Sequence, residues 1–218
     1  MFLGHFALAF AAKRVAPSAP LPGLFLAAQA ADVEWPVLVG MGIEQVRIAP
    51  GNTAFTPLEF VSYPYSHSLL CLALTAVLVA FTIGKGTSRK AVLVTGLLVV
   101  SHWLLDWISH GPDMPLIPGG ARYGLGLWNS IPATLAIELT LFAAGLTVYA
   151  ATTRATTAAG RWGLLGMIAF LLVAYFGAAF GPPPPSVPAL VGTALIGTLL
   201  LIGCSWWVDR GREIRIRP

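Results

Sequence analysis

Five runs of apolar residues, roughly 68–84, 90–109, 131–151, 161–181 and 188–208, constrain this chain more than any other feature. Most approach the roughly 20 residues that a helix needs to cross the hydrocarbon core of a bilayer. Charged residues make up only 10% of the chain and apolar ones 56%, whereas a soluble domain carries about 25% charged residues. So little charge cannot cover a water-facing surface. An ordinary soluble enzyme, a disordered tail and a nucleic-acid module are thereby excluded.

Two weaker apolar segments join the five. Residues 2–16 are short, and residues 21–42 are interrupted by Asp32, Glu34 and Pro36. The first is read as a retained helix and not as a signal peptide, because Lys13 and Arg14 follow its apolar run instead of preceding it. The expectation is an all-α polytopic membrane protein of seven helices, two of them short or irregular, forming one domain over residues 1–218. Only helices or closed barrels satisfy the backbone in lipid. Cys71 and Cys204 both lie in apolar runs and imply no disulfide framework.

Basic residues set the expected orientation. One set of connections holds Lys13, Arg14, Lys85, Arg89, Lys90, Arg154, Arg161, Arg210, Arg212, Arg215 and Arg217; the other holds only Arg47 and Arg122. Lys and Arg accumulate on the cytoplasmic side. Seven spans then place the N-terminus outside and the C-terminus inside, in an inner membrane. The two long connections, about 43–66 and 111–129, fall outside. They are rich in Gly, Pro and aromatic residues, which favours ordered turns, and long ordered loops commonly serve as lids or binding loops.

All four histidines map to the same outer side. His5 opens the first helix, His67 opens the third, and His102 and His110 lie late in the fourth, in SHWLLDWISH. His102 and Asp106 are four residues apart and so share a helical face. His110 lies about 12 Å farther along the axis than His102. It can join them only if the helix ends and the chain turns back, which Gly111-Pro112 permits. Asp32 has two readings: a carboxylate facing a polar cavity from a helix broken near Pro36, or the end of a short interfacial helix meeting water. A carboxylate within a span points to function. Glu138, inside the run 131–151 (the fifth of the seven segments), is open to use as a ligand, a general base or a partner that orients a histidine.

Histidine and carboxylate donors suit Zn²⁺ most simply, with Mn²⁺ or Fe²⁺ as alternatives. Three or four protein ligands around an ion with a free position activate water, which is the chemistry of hydrolysis. The proposed ligands are His5, Asp32, His67, His102 and Asp106, with Glu34 and Glu138 as catalytic candidates. Serines beside the histidines are poor candidates for a nucleophile, since adjacency in sequence does not aim a hydroxyl at an imidazole.

Four motifs carry a family resemblance: His5 in GHFALAF, Asp32-Val33-Glu34, Ser66-His67-Ser68-Leu69-Leu70, and His102 to Asp106 in SHWLLDWIS. In order and spacing over residues 1–110 the chain resembles the YdjM-like family of inner-membrane proteins, regarded as metal-dependent hydrolases. Glu34 stands where that family carries a second Asp, and the His-Arg-Gly that often precedes its Thr-His-Ser is absent. The resemblance implies a divalent-metal site more strongly than any one reaction. A phosphoester or lipid-like substrate suits a site at the membrane interface, with Arg122 a candidate for an anionic group. Two alternatives remain: a proton or divalent-metal transporter, and a non-catalytic membrane subunit whose metal only staples helices together.

Overall fold

The structure is a computed structural model describing residues 1–83 and 86–215. Lys85 and Arg217, which contribute to the basic bias, lie outside the described residues. Eight α-helices are present among the described residues: α1 (Leu3–Val15), α2 (Leu21–Ala28), α3 (Ala30–Gly40), α4 (Leu69–Ile83), α5 (Arg89–Ser109), α6 (Ile131–Thr152), α7 (Ala158–Phe180) and α8 (Val187–Arg210).

The helices α5, α6, α7 and α8 are long and apolar enough to cross a membrane. Each begins on a hydroxyl cap: Ser88, Ser130, Thr157 and Ser186 accept from the amides of Ala91, Ala133, Gly160 and Ala189. Such caps satisfy one of the amides that a helix start leaves unpaired. Pro132 and Pro188 sit in the first turn of α6 and α8, where a missing N–H costs nothing.

The other three apolar segments are less regular than uniform spans. The run at 68–84 yields α4, a helix of 15 residues, or about 22 Å. Its upstream end turns aside so that Ser66 and His67 lie outside the helix. The segment 21–42 is two helices, α2 and α3, meeting at Gln29, whose backbone leaves the helical region (φ −106°, ψ 13°). Within α3, Pro36 has no N–H to offer the carbonyl of Asp32, four residues before it.

Short ribbons close both ends. At one end β5 (Thr153–Ala155) pairs antiparallel with β6 (Arg212–Ile214). Nearby, the buried Lys13 ammonium donates to the Ala19 carbonyl at 2.8 Å and pairs with Asp209 at 3.0 Å, and Asp209 also accepts from the Leu21 amide. At the opposite end β1 (Gln45–Ile48) pairs with β2 (Leu58–Ser62), and β3 (Met114–Pro115) with β4 (Arg122–Tyr123). The two long loops interlock there. Phe55 donates its amide to the Trp128 carbonyl, Leu70 to that of Leu116, and the Arg122 guanidinium to that of Val61.

The short helix α1 is the centre of the molecule. It is buried on nearly all sides, as expected of a helix whose apolar residues are not confined to one stripe. It packs most extensively on α6, then on α2 and α5. Phe6 and Phe10 meet Phe25 edge-on at centroid distances of 5.2 and 5.0 Å, and Phe10 also meets Tyr149 at 5.1 Å. Backbone meets backbone where α6 passes α1. A β-carbon on Gly145 would stand 2.3 Å from the Ala7 carbonyl oxygen. Gly145→Ala is therefore expected to destabilise the protein by about 1–3 kcal/mol, read as a lowered melting temperature in detergent.

Candidate metal centre

Four stretches of chain converge where α1, α3 and α5 meet the start of α4. His5 sits one turn into α1 and Asp32 one turn into α3. His67 precedes α4, and His102 and Asp106 share one face of α5. The Asp106 carboxylate is the hub. Its Oδ1 lies 3.1 Å from His5 Nε2, and its Oδ2 lies 3.1 Å from His102 Nε2 and 3.6 Å from His67 Nε2. Asp32 Oδ1 completes the cluster, 3.7 Å from His67 Nε2 and 3.8 Å from His102 Nε2. The Met1 α-amino group also contacts Asp106 Oδ1. The rings of His5 and His102 stack face to face, with centroids 3.7 Å apart and planes within 2°.

Two of the histidines are locked by hydrogen bonds at Nδ1, and these bonds assign their tautomers. His102 Nδ1 donates to the Ala28 carbonyl at 2.7 Å, the last carbonyl of α2, left open by the break at Gln29. His67 Nδ1 donates to Ser66 Oγ at 2.8 Å, and that hydroxyl in turn donates to the buried Glu44 carboxylate at 2.6 Å. Glu44 is held by the amides of Tyr65 and Ser66, both at 2.9 Å. With each Nδ1 protonated, each Nε2 presents a lone pair toward the two aspartates. His102 Nε2 is fully buried and has no hydrogen-bond partner among the described residues. A lone pair facing carboxylate oxygens is repulsive on its own and becomes favourable around a cation.

The donor set fits a divalent ion. Ligand atoms around a tetrahedral ion with bonds of about 2.0–2.2 Å lie about 3.3–3.6 Å apart. The four imidazole–carboxylate separations among His67, His102, Asp32 and Asp106 run from 3.1 to 3.8 Å. Two overlapping groups of three bring their ligand atoms within 4.8 Å of one another: His5, His102 and Asp106, and Asp32, His67 and His102. His5 Nε2 donates to Asp106 Oδ1 at 3.1 Å, while its Nδ1 is buried without a partner among the described residues.

His110 does turn back toward the centre. α5 ends at Ser109, and the extended backbone of His110 (ψ 157°) swings its ring inward. Its Nε2 lies 4.0 Å from Asp106 Oδ2, outside both ligand groups, while Nδ1 lies 3.1 Å from Asp113 Oδ1. The Tyr63 hydroxyl donates to the same Asp113 oxygen at 2.6 Å. Burial and the Asp113 charge push the Tyr63 phenol well above its ordinary range, so it remains a donor at any physiological pH. Phe60 and Trp128 close over the His110 ring at centroid distances of 4.7 and 4.2 Å. Both long loops thus fold onto the cluster.

Accessibility is uneven across the cluster. His5, His67, His102 and Asp106 are each at most 3% exposed, whereas the Asp32 side chain is 38% exposed. Asp32 nevertheless lies on the same face of α3 as buried Trp35, Pro36 and Val39. Its carboxylate is thus the part of the cluster most open to solvent. Arg122 lines a separate polar cavity of about 280 Å³ with Tyr63, Asp113 and Gly120. Asp113 is engaged by Tyr63 and His110, and Arg122 by the Val61 carbonyl. Glu34, half-buried on α3, and Glu138, fully buried on α6, belong to neither ligand group.

Glu44, Tyr63 and Asp113 had no distinguishing mark in the sequence as supports of this centre. They lie on turns and reach the histidines only through the way the loops fold. Searches of protein-family models, of curated proteins and of solved structures find no match to the chain. The Glu44–Ser66–His67 chain makes a direct prediction. Partners that orient a metal-binding histidine are worth about 10–100-fold in affinity. Ser66→Ala is expected to weaken zinc binding by about tenfold or more, measured by competition with a chromophoric chelator, with the helical circular dichroism unchanged.

Proposed function

We propose that this chain is a membrane-bound, metal-dependent hydrolase. The observation that carries the reading is a pair of overlapping histidine–aspartate groups, His5–His102–Asp106 and Asp32–His67–His102, in which one member, Asp32, borders accessible space. A metal that only staples helices is fully enclosed by protein ligands, whereas a catalytic one keeps a position for water or substrate. Zn²⁺ is favoured by the donor set, with Mn²⁺ or Fe²⁺ as alternatives. When bound, the ion lowers the pKa of water and polarises the bond to be cleaved.

The residues divide the remaining work. His5, His67, His102, Asp32 and Asp106 would hold one ion or two adjacent ones, with His102 shared between the two groups. Glu44 through Ser66, and the Ala28 carbonyl, keep the imidazoles in the ligating tautomer. Phe55, Phe60 and Trp128 keep bulk water off one side, which strengthens electrostatic interactions within. Arg122, with a fixed guanidinium in a polar cavity, is the candidate contact for an anionic substrate group.

The proposed setting is an inner membrane crossed seven times, with the N-terminus outside and the C-terminus inside. The basic bias and the alternation of ends support it. His102 and Asp106 lie about 20 and 26 Å along α5 from Arg89, in a hydrocarbon core about 30 Å thick. That depth corresponds to the outer leaflet, where a phosphoester or other lipid-like substrate has its cleavable bond.

Two measurements test the reading. Protein purified with zinc should retain the ion stoichiometrically and hydrolyse a phosphodiester such as bis(p-nitrophenyl) phosphate or a phospholipid, and Asp106→Ala should abolish both. Intact metal content in Asp106→Ala, or wild-type protein free of metal, would sink it. For topology, a reporter fused after Arg215 should read as cytoplasmic; a periplasmic signal would reverse the orientation.

A further inference from the structure

Glu138 lies on α6, is fully buried, and faces the beginning of a different helix. Its Oε2 accepts the Leu3 amide at 2.6 Å, and the neighbouring amides of Phe2 and Gly4 are turned toward the same carboxylate. These are the amides that a helix start leaves without intrahelical partners. α1 has no cap of its own, because Phe2 at the N-cap position offers no side-chain acceptor. A carboxylate is also the group best suited to the positive end of a helix dipole. Seven residues on, along the same face of α6, Gly145 lets α1 approach until the backbones touch at Ala7. Thus α6 grips α1 at two points, and His5 lies between them.

We infer that Glu138 is a positioning residue: an N-cap supplied by α6 to α1, which fixes the height of α1 and so holds His5 Nε2 against Asp106. The inference rests on the metal-centre reading for its consequence, though not for its geometry. It assigns Glu138 a different task from a general base. A base must reach the reacting atoms. Glu138 commits one oxygen to α1, and its other oxygen has no hydrogen-bond partner among the described residues while the carboxylate stays outside both ligand groups. A shift of α1 by even one residue would move His5 by about 1.5 Å, enough to separate it from Asp106.

The two roles separate on substitution. Glu138→Gln keeps an oxygen acceptor for the Leu3 amide but cannot act as a base. Glu138→Ala removes the acceptor. With a positioning role, the Gln variant keeps wild-type zinc affinity, the absorption spectrum of the cobalt-substituted protein and hydrolysis within a few-fold. The Ala variant loses about tenfold or more in metal affinity, the range for groups that orient ligands, and its cobalt spectrum shifts. Hydrogen exchange at the first amides of α1 should quicken in the Ala variant alone, a readout that needs neither metal nor activity. If Ala proves too unstable to purify, exchange and cobalt spectrum in Glu138→Asp, whose shorter side chain pulls the acceptor back by one methylene, give the same comparison. Loss of hydrolysis in the Gln variant with metal and spectrum intact would make Glu138 a base and overturn the inference. So would unchanged exchange and spectrum in the Ala variant. A wild-type protein without bound metal, but with exchange that responds to Glu138→Ala, would remove the hydrolase reading and leave the cap standing.

Discussion

A carboxylate buried among helices, away from water, is the constraint around which this molecule is arranged. Asp106 is 2% exposed and lies near the C-terminal end of a long apolar helix. An isolated charge in such a place costs several kcal/mol or more. The chain brings the Met1 α-amino group and His5 Nε2 to one carboxylate oxygen and the imidazoles of α5 and of the turn before α4 to the other. Each approach then imposes a demand on the backbone. α1 must begin at depth, so its first amides need an acceptor within the protein. α4 must start late, so that His67 can lie beside its end. α2 must break at Gln29, which frees the Ala28 carbonyl for His102. The irregularities in the three short helices are all consequences of serving one polar centre inside an apolar bundle.

Those irregularities separate what could be read from the sequence from what could not. The helices α5 to α8 were legible because span length and scarcity of charge agree locally. His102 and Asp106 were legible as a pair because helical periodicity alone puts them on one face. The recruitment of His5, His67 and Asp32 to the same place rested on their common side of the membrane, since no local rule connects residues so far apart in the chain. Glu44 escaped notice because its role depends on a turn returning to Ser66 after a 20-residue hairpin. Glu138 was visible as a buried acid, but whether it meets a reacting atom or a helix end is decided only by packing of α6 on α1. His110 was an open choice in the sequence, and the outcome turns on the extended backbone of a single residue after Ser109.

The distribution of polarity along the bundle bears on which chemistry the centre can serve. Above it, the loops supply Tyr63, Asp113 and Arg122 around a polar cavity. Below it, α1, α2 and α6 meet in Phe6, Phe10, Phe25 and Phe142, each at most 3% exposed and mutually packed. The next charged pair, Lys13 and Asp209, lies beneath this aromatic floor and is closed by its own hydrogen bonds. Transport of a proton or metal ion across the membrane requires groups that exchange partners through the full depth. Ring against ring at 5.0–5.2 Å offers none, and opening that floor would dismantle the contacts by which α1 is held. A centre with polar groups on one side and a packed aromatic floor on the other receives and releases its ligand from the same side. That arrangement supports the proposed hydrolase over the transporter.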